Sequence, residues 1–479
     1  MDDLRDWLLK VEAMGELKKI DGADWNLEIG YMQDRKIRGD DTSVLLFDNI
    51  KGYPSGYRVV TTALNTPSRV ALTFNLPDGS KKELVDTFRQ RLPQWEGKLQ
   101  DFDPKIVKSG PVLENIDSGD KVDLLKFPTP KWHDLDGGRY IGTGCAVITR
   151  DPDTGEVNLG TYRVMIHDRK TAGLYISPGK HGRIHCEKYH SAGQPCPVAV
   201  SIGHHPLILA LSASSVQECE YNWAGAIRGK PVEVVSEEVT SLPIPADSEI
   251  ILAGWCPPGK SRAEGPFGEW TGYYGSMERE APIIEIERIY YRNNPIILGR
   301  PPQRPGAGVD IVFKPIFDSA LLHNELIKMG IPDVRSVWIS EAAMTPLVII
   351  SIEQRFAGHA KRVALVASQS STLQIGRYIV VVDEDIDPIN IQDVIWALCF
   401  RSDPAIDIDI VRKCRTTPLD PLHRAGAPLY TSMAIIDACK PYDRIEEFPP
   451  AIQVDPKLAN TFAEKWKDVF HRNKNQKKR

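Results

Sequence analysis

The sequence has little of what membrane-spanning and secreted proteins need. No uninterrupted apolar run approaches the ~20 residues that cross a bilayer. The first six residues, Met1-Asp2-Asp3-Leu4-Arg5-Asp6, carry acids where a secretory signal peptide carries basic residues. We therefore expect a cytoplasmic protein.

Excess positive charge and paired cysteines are also missing. The formal net charge is -5 and the pI is near 6.2, which speaks against a nucleic-acid-binding protein, because neutralising a phosphate backbone needs a concentrated basic face. The basic run from Lys474 to Arg479 is interpreted as a solvated tail. The eight cysteines contain no CxxC pair, so neither a zinc ribbon nor a disulfide framework is indicated, and we expect reduced, mostly buried thiols.

The chain is long enough for several cores. Its 479 residues suggest about three domains. We divide it into an N-terminal α+β region (1–104), a β-rich segment (105–297), a loop-rich join (298–315), a C-terminal α/β domain (316–450), and a terminal helix with the basic tail (451–479).

Hydrophobic periodicity predicts the individual elements. In the first region Leu4, Trp7, Leu8 and Val11 recur at helical spacing, so a helix is expected over 3–14. Strands are expected over 44–47 and 58–62, and a helix over 82–92. The β-rich segment has candidate strands at 145–149, 160–167, 173–177, 198–202, 249–253 and 283–291, with helices near 181–192 and 218–228. This regular strand spacing is typical of a closed or split barrel.

The last third of the chain alternates strands and helices, which favours a layered α/β domain. Helices are expected over 316–329, 359–368 and 391–400, and strands over 336–339, 347–352 and 379–383. Asp455 and Pro456 form an N-cap followed by an N1 proline. The helix that follows carries an apolar stripe of Leu458, Phe462, Trp466 and Val469. Such a stripe covers either its own chain or a neighbouring subunit.

Two glutamates, Glu264 and Glu269, bracket a Gly-Pro-Phe-Gly segment that cannot continue a helix. Carboxylates in different environments can divide acid and base roles, since burial raises the pKa of one while a nearby cation lowers that of the other. The alternative interpretation is a surface turn with two solvated glutamates. From the loop alone, both remain open.

Candidate ligands lie earlier in the β-rich segment. Asn158, His181 and Glu220 offer an amide oxygen, an imidazole and a carboxylate, a set that suits manganese or magnesium. Arg163 lies five residues after Asn158 and would point to the opposite face of a regular strand, where an anion such as Glu264 or a substrate carboxylate would have to meet it if it were buried. The alternatives are an ordinary loop histidine, a helix-start glutamate and an exposed strand arginine.

Taken together, these motifs are more specific than each is alone. In chain order they are Asn158-Leu159-Gly160-Thr161-Tyr162-Arg163, Pro178-Gly179-Lys180-His181, Glu220 followed by Ala224-Gly225-Ala226-Ile227-Arg228-Gly229, and Glu264-Gly265-Pro266-Phe267-Gly268-Glu269. This combination resembles the UbiD family of decarboxylases, closest in kind to its phenolic and heteroaromatic acid members. The similarity continues in Leu4 to Ile20, Leu46 to Tyr53 and Val382 to Pro388.

The resemblance implies a fold and a set of cofactors. The expected fold is a multidomain α/β and α+β protein, in which a central split β-barrel binds the flavin. A small N-terminal α+β region and a C-terminal α/β domain with a terminal dimerisation helix flank it. The expected cofactors are prenylated FMN, Mn²⁺ (or Mg²⁺) and K⁺. A flavin prenyltransferase would supply the flavin, and a homodimer or homohexamer is expected.

Carried over by position, the resemblance also implies site residues. Arg163, Glu264 and Glu269 correspond to the catalytic network, and Asn158, His181 and Glu220 to the metal ligands that hold the flavin phosphate. The flavin-binding residues would be Leu159, Gly160, Thr161, Arg163, Ile176, Ser177, Pro178, His181 and Glu220. Ser212 to Ser215 lies where potassium is expected.

One position departs from the family pattern. Many members have a C-terminal lysine that contacts the flavin phosphate, and here Met433 stands at the corresponding place. Either Lys440 or Lys413 would have to substitute, or the phosphate would rely on the metals alone.

The implied function is reversible, non-oxidative decarboxylation of an aromatic or heteroaromatic (or α,β-unsaturated) carboxylic acid, through a covalent adduct with prenylated FMN. Arg163 would orient the substrate carboxylate, Glu269 would deliver the proton, and Glu264 would set the charge of the network. A flavin-dependent oxidoreductase is one alternative, although the sequence has no glycine-rich dinucleotide fingerprint. A non-catalytic flavin-binding subunit is another.

Overall fold

The computed structural model describes residues 3–37, 41–214, 216, 218–275, 278–303, 312–373, 375–424, 426–452 and 455–467. The strands, in chain order, are β1 (Leu17–Asp21), β2 (Val44–Asp48), β3 (Arg58–Thr61), β4 (Lys105–Ile106), β5 (Asn115–Ser118), β6 (Arg139–Gly142), β7 (Ala146–Arg150), β8 (Val157–Gly160), β9 (Arg163–Ile166), β10 (Thr171–Tyr175), β11 (Cys196–Ile202), β12 (Glu233–Ser236), β13 (Pro243–Pro245), β14 (Ile250–Cys256), β15 (Ser261–Glu264), β16 (Arg279–Tyr291), β17 (Ile296–Leu298), β18 (Val334–Ile339), β19 (Leu347–Ile352), β20 (Tyr378–Asp383), β21 (Ile408–Arg415) and β22 (Tyr430–Ala438).

The helices lie between these strands and at both ends of the described chain. The α-helices are α1 (Leu4–Ala13), α2 (Glu28–Ile37), α3 (Pro67–Phe74), α4 (Lys81–Glu96), α5 (His181–Ser191), α6 (Pro206–Ser212), α7 (Glu220–Arg228), α8 (Phe313–Lys328), α9 (His359–Ala367), α10 (Ile391–Arg401) and α11 (Pro456–Lys465). Short 3-10 helices span Leu99–Asp101, Pro111–Glu114, Gly119–Lys121, Leu124–Lys126 and Tyr442–Glu447. In the described ranges, no helix combines the length and the apolar composition that crossing a membrane requires.

The first helix forms as its residue pattern predicts. The Asp3 carboxylate accepts a hydrogen bond from the backbone N–H of Asp6, which caps α1. The four residues of the predicted stripe are all buried. Later in this region, Ser80 and Glu83 form a capping box that begins α4. Strands β1, β2, β3 and β17 make one four-stranded sheet.

The central sheet contains ten strands. Its pairing path runs β6-β9-β10-β16-β14-β11-β7-β8, and β5 and β15 also pair with β16. Within the described residues the path is open, so the sheet is not a closed barrel, and the split barrel stays a prediction. The longest strand, β16, begins at Arg279 rather than at 283 as predicted. Its additional residues pair with β15, which carries the first glutamate of the predicted site.

One predicted strand of this sheet is wrong. The run 160–167 is not continuous, because β8 ends at Gly160 and β9 begins at Arg163. Between them, the backbone N–H of Thr161 donates to the carbonyl of Ser212 at 2.9 Å, outside the sheet. The argument that Asn158 and Arg163 occupy opposite faces of one strand therefore does not hold.

The C-terminal domain is a five-stranded sheet in the order β18-β19-β20-β22-β21, with helices packed against it. Its three predicted strands and three predicted helices are confirmed to within three residues at each end. Strands β21 and β22 were not predicted. Strand β21 lies at an edge of the sheet, carries charged and exposed residues, and shows no clear alternation of apolar and polar residues. Helices α2, α3 and α6 were missed as well, and α6 is apolar around its whole circumference and so shows no helical stripe.

An aromatic cluster joins the N-terminal region to the C-terminal domain. Phe74 of α3, Phe88 of α4, and Phe313 and Phe317 of α8 are each fully buried. The Phe74 ring lies 4.9 Å from Phe88 and 5.3 Å from Phe313, between ring centroids. Such pairs contribute beyond the area they bury.

The terminal helix and the cysteines agree in part with expectation. Leu458 and Phe462 of α11, and Trp466 directly after it, are 52%, 51% and 51% exposed. The stripe is therefore only half covered. Val469 lies outside the described residues. A dimerisation role for this helix remains a prediction.

The eight cysteines are free thiols, of which five are buried and Cys399 is exposed.

Replacing Phe74 by alanine should lower the free energy of unfolding by about 3 to 5 kcal/mol, since it removes a fully buried ring from the cluster. Urea unfolding followed by tryptophan fluorescence and far-UV circular dichroism measures the change. The control is Leu9→Ala on α1, where the side chain is 64% exposed and a change within about 0.5 kcal/mol is expected. Equal unfolding midpoints for the two variants would contradict the role of the cluster.

Candidate functional site

The Glu264–Glu269 loop is buried rather than solvated. Glu264 is the last residue of β15 and is 0% exposed, and Glu269 is 8% exposed. The surface-turn interpretation is therefore wrong. The loop turns immediately after β15, at Gly265, whose φ of 91° lies in the left-handed region that glycine tolerates.

Arg163 lies between the two glutamates. Its Nη1 donates to Glu269 Oε1 at 2.6 Å and its Nη2 donates to Glu264 Oε2 at 2.7 Å. Burial raises the pKa of Glu269, and the Arg163 guanidinium only partly opposes this shift. Burial alone would lower the pKa of Arg163, but Glu269 and Glu264 outweigh it and the pKa is raised. The arrangement holds a buried cation beside a carboxyl group whose pKa is raised by burial.

A second loop, residues 133–137, braces the first. The backbone N–H of Gly137 donates to the carbonyl of Pro266 at 2.8 Å, and Asp136 Oδ1 accepts from the backbone N–H of Gly268 at 3.3 Å. A Cβ on Gly137 would lie 1.9 Å from the carbonyl oxygen of Gly265, so a side chain cannot be accommodated there. The Tyr140 hydroxyl donates to Glu264 Oε1 at 3.0 Å.

The sequence analysis missed Asp136 and Tyr140. The signal that could have drawn attention to the first is the Asp136-Gly137-Gly138 turn, whose consecutive glycines allow a close backbone approach. Nothing in the local sequence indicates a functional role for Tyr140, because an aromatic residue is common in a β-strand such as β6. Its contact with Glu264 spans 124 positions in the chain.

The three predicted metal ligands lie at the ends of three elements that meet. Asn158 is in β8, His181 begins α5 and Glu220 begins α7. Glu220 Oε2 accepts from the backbone N–H of Leu159 at 2.8 Å, which ties the start of α7 to β8. The Tyr162 hydroxyl accepts from Asn158 Nδ2 at 3.4 Å and from the Gly182 N–H at 3.3 Å, which connects the first two elements.

The chemistry of this junction fits a cation. Burial raises the pKa of Glu220 to about 8, which a bound cation would reverse. Asn158 and Glu220 are buried, whereas His181 is exposed. Among the described residues, no group of three or more His, Cys, Asp and Glu side chains is arranged to hold a metal. A metal here would therefore need the amide oxygen of Asn158 as one of its ligands.

Unpartnered buried hydroxyls lie beside this junction. Thr161 Oγ1 and Ser212 Oγ are both buried without a hydrogen-bond partner, although the backbone of one residue bonds to the other. Buried polar atoms are rarely left unpaired, so the pair fits a ligand or an ion. Of the stretch predicted for potassium, Ser214 donates to the Ala210 carbonyl, and Ser215 lies outside the described residues.

The predicted flavin-lining segments approach each other around Tyr162. A Cβ on Gly160 would lie 2.1 Å from the Tyr162 ring, and one on Gly182 would lie 2.7 Å from that ring and 3.3 Å from Ile176. Leu159 and Ile176 are buried. Ser177 is half-buried and Pro178 is exposed, at the open side of the same segment.

The position of Met433 is explained by packing. Met433 is 3% exposed in the core of the C-terminal domain, and its methyl group lies against Gly376. Lys440 pairs with Asp385 at 3.2 Å, so it is engaged elsewhere. Arg415 is a cation from this domain that approaches the predicted flavin segment, since its Nη2 would lie 3.6 Å from a Cβ on Gly179.

Family models match three successive parts of the chain. They describe the N-terminal domain (residues 8–88), the Rift-related domain (residues 105–305) and the C-terminal domain (residues 316–438) of 3-octaprenyl-4-hydroxybenzoate carboxy-lyase, or UbiD. The phenolic acid decarboxylase of Escherichia coli O157:H7 is 30% identical, over 92% of this chain and 92% of that protein. The chain belongs to the UbiD family. It is a carboxy-lyase of the UbiD type.

Solved structures agree with this assignment. Vanillic acid decarboxylase of Sedimentibacter hydroxybenzoicus, in its closed form, has a TM-score of 0.84 at 29% identity and covers 98% of this chain and 99% of its own. The UbiD-class enzyme HmfF of Pelotomaculum thermopropionicum, in complex with FMN, has a TM-score of 0.82 at 28% identity, with 96% and 98% covered. An evolved dimeric form of HmfF, in complex with prenylated FMN, has a TM-score of 0.80 at 27% identity, again with 96% and 98% covered.

Without divalent metal, Glu220→Gln should melt at a higher temperature than the wild type at pH 8, and the difference should shrink towards pH 5. Because the folded pKa is raised from 4.5 to about 8, the favourable contribution of protonated Glu220 is complete below pH 4.5 and is lost as the pH rises to about 8. Manganese should then raise the melting temperature of the wild type more than that of the variant.

Differential scanning fluorimetry between pH 5 and pH 8, with and without MnCl₂, measures both effects. Glu187→Gln is the control, since that carboxylate is exposed on α5 and pairs with Arg183. Parallel pH profiles for Glu220→Gln and the wild type would show that the buried carboxyl does not titrate as described.

Proposed function

We propose that this carboxy-lyase catalyses the reversible, non-oxidative decarboxylation of an aromatic or heteroaromatic (or α,β-unsaturated) carboxylic acid with prenylated FMN. The observation that carries the proposal is the buried ion-pair network of Arg163 with Glu264 and Glu269. A module that only binds a flavin does not need a buried cation held between two carboxylates, which is costly to maintain.

The substrate class rests on the relatives. The similar proteins include a phenolic acid decarboxylase and a vanillic acid decarboxylase, and both names denote aromatic acids. Loss of carbon dioxide from an sp² carbon needs an electron sink that no side chain provides, and that is the chemistry a bound prenylated flavin supplies. The covalent adduct and the reversible direction are parts of this proposal.

The side chains have separate roles in the proposed reaction. Arg163 orients the substrate carboxylate, and its position is held by Glu264 and Glu269 at once. Glu269 carries the proton to the carbon that loses carbon dioxide, a role supported by burial that raises its pKa. Glu264, bonded by Tyr140 and Arg163, sets the charge of the network.

The cofactor would be held at the junction of β8, α5 and α7. Asn158, His181 and Glu220 would bind Mn²⁺ or Mg²⁺, and Thr161 and Ser212 would provide oxygens towards potassium or the flavin. Lys180 and Arg415 would face the phosphate; burial, together with Lys314 and Arg415, lowers the pKa of Lys180, and an anion at this place would offset the repulsion between the cations.

The proposal extends to assembly and supply. A flavin prenyltransferase would provide the cofactor in the cytoplasm. The half-exposed stripe of Leu458, Phe462 and Trp466 supports packing against a second subunit in a homodimer or homohexamer.

Glu269→Gln should lose turnover by a factor of about 10² to 10⁴, since it removes the proposed proton donor, while flavin content and substrate binding stay near wild type. Carbon dioxide release and the absorbance of the bound flavin measure the two properties. Glu280→Gln is the matched control, because Glu280 is exposed in β16 and accepts a hydrogen bond from the Ser261 hydroxyl. Full activity in Glu269→Gln would reject the assignment.

Arg415→Ala should weaken FMN binding about tenfold, because a charge-assisted contact with the phosphate is lost. Quenching of FMN fluorescence on titration with the protein gives the dissociation constant. The neighbouring Arg412→Ala, on an exposed position of the same strand, is expected to bind FMN as the wild type does. Equal constants for both variants would place the phosphate elsewhere.

Co-expression with a flavin prenyltransferase tests the whole proposal. The purified protein should carry a flavin with the mass of prenylated FMN and release carbon dioxide from an acid such as vanillate or 3,4-dihydroxybenzoate. Redox turnover with NAD(P)H and no carbon dioxide would instead favour a flavin-dependent oxidoreductase. A bound flavin without either activity, over a broad panel of acids, would favour a non-catalytic subunit.

A further inference from the structure

Arg279 is a second arginine at the site, which neither the motifs nor the family comparison singles out. It is the first residue of β16 and is half-buried. Its guanidinium carbon lies 3.8 Å from the centre of the Tyr175 ring. The Arg163 guanidinium carbon lies 4.4 Å from the centre of the same ring. Both arginines therefore contact one aromatic side chain.

Strand register explains why these residues meet. Arg163 in β9 is directly opposite Tyr175 in β10, and Glu264 in β15 is directly opposite Arg279 in β16. Directly opposite residues of an antiparallel pair place their side chains on the same face of the sheet. The Arg163–Glu264 ion pair and the Arg279–Tyr175 contact then join the two pairs. The four residues form one closed group on a single face.

The two arginines differ in what they already bind. Arg163 has a carboxylate on each of its terminal nitrogens, so its charge is compensated inside the protein. Arg279 donates from Nη2 only to a neutral acceptor, the carbonyl of Gly275, at 3.2 Å. The buried Nε atom has no hydrogen-bond partner in either arginine. In the part of the chain that the structure describes, no ion pair is found for Arg279. It therefore keeps both charge and donors for an external anion.

The charges of the group create a need for such a cation. When Glu264 and Glu269 are both ionised, Arg163 and the two carboxylates carry a net charge of -1, and when Glu269 carries its proton they carry none, so in neither state does this network offer a net positive charge to an acid anion. Arg279 adds one positive charge in both states. Its planar guanidinium, stacked on an aromatic ring, is suited to bidentate contact with a carboxylate.

We propose that Arg279 binds the carboxylate of the substrate, beside Arg163, and so selects acids at this site. The inference rests on the proposed decarboxylase function and deepens it by adding to Arg163 a second residue that binds the substrate carboxylate and lies outside the Arg163–Glu264–Glu269 network. Arg279 acts in ground-state binding, whereas Glu269 acts in proton transfer. Loss of Arg279 therefore raises KM more than it lowers kcat.

The test compares Arg279→Gln and Arg279→Lys with the wild type, each loaded with prenylated FMN. Vanillate and 3,4-dihydroxybenzoate are the acid probes, and methyl vanillate is the uncharged probe. Arg279→Gln should weaken vanillate binding about 10- to 100-fold, the range for a lost charge-assisted hydrogen bond. Binding of methyl vanillate should not change. Arg279→Lys keeps the charge but not the planar fork, so an intermediate loss is expected.

Arg262→Gln is the matched control. Arg262 lies in β15, two residues before Glu264, and forms an exposed ion pair with Asp168. The Arg262→Gln variant removes one positive charge from the same β15–β16 strand pair without affecting the contact with Tyr175. It should leave the vanillate dissociation constant and KM at the wild-type values. Flavin content and melting temperature establish that all variants are folded and loaded.

The outcomes separate this inference from the proposed function. Equal vanillate affinity in the wild type and Arg279→Gln overturns the inference, whether or not the enzyme releases carbon dioxide. An equal loss for vanillate and methyl vanillate also overturns it, since the effect is then not charge recognition. Arg279-dependent binding of the acid, with no carbon dioxide released from any acid of a broad panel, supports the inference and rejects the proposed function. Failure of the wild type to bind either acid rejects the inference for aromatic acids, even if another acid is turned over.

Discussion

The structure of the site depends on one buried cation, Arg163, and on the two carboxylates that compensate it. Arg163, Glu264 and Glu269 are each less than a tenth exposed. Removing one of the three side chains would leave an uncompensated charge buried away from water. Such a charge is strongly destabilising, because neither water nor a partner of opposite sign then stabilises it. The positions of strands β9 and β15 and of the loop after β15 are therefore constrained together, since each supplies one member.

The surrounding scaffold keeps this network in a single geometry. The 133–137 loop fixes the 264–269 loop through backbone contacts that tolerate no side chain at Gly137, and the Tyr140 hydroxyl orients Glu264. Thirteen residues of β16 link the ladder that carries Glu264 to the main sheet. Charged groups that are already held in place need little rearrangement when charge moves during a reaction. This electrostatic preorganisation is usually the largest contribution of a protein to catalysis.

The junction of β8, α5 and α7, which carries Asn158, His181 and Glu220, is built differently from the ion-pair network. Instead of an ion pair, this junction brings together one strand and the N-terminal ends of two helices. The N-terminal end of a helix carries backbone N–H groups that have no partner within the helix. Tyr162 stands at the centre of this junction, with its hydroxyl bonded to Asn158 and Gly182 and its ring against Gly160. Because Tyr162 directly precedes Arg163, the junction and the ion-pair network are joined through one short segment of backbone.

The amino-acid sequence by itself determined the local elements and the chemical groups. Helical stripes, caps and apolar runs predicted eight of the eleven described α-helices but only half of the described strands. The motif order identified the family and pointed to Arg163, Glu264 and Glu269, while the metal ligand set stays a prediction. Helices without a stripe, such as α6, and edge strands rich in charge, such as β21, escaped because their residue patterns carry no period. The tertiary structure alone decided which groups meet. Arg163 lies 101 and 106 positions along the chain from Glu264 and Glu269. Arg279 joins this group because β16 begins at Arg279, four residues before the predicted start at 283, and pairs there with Glu264 of β15. Local propensity does not encode sheet order or register; packing of the whole chain does.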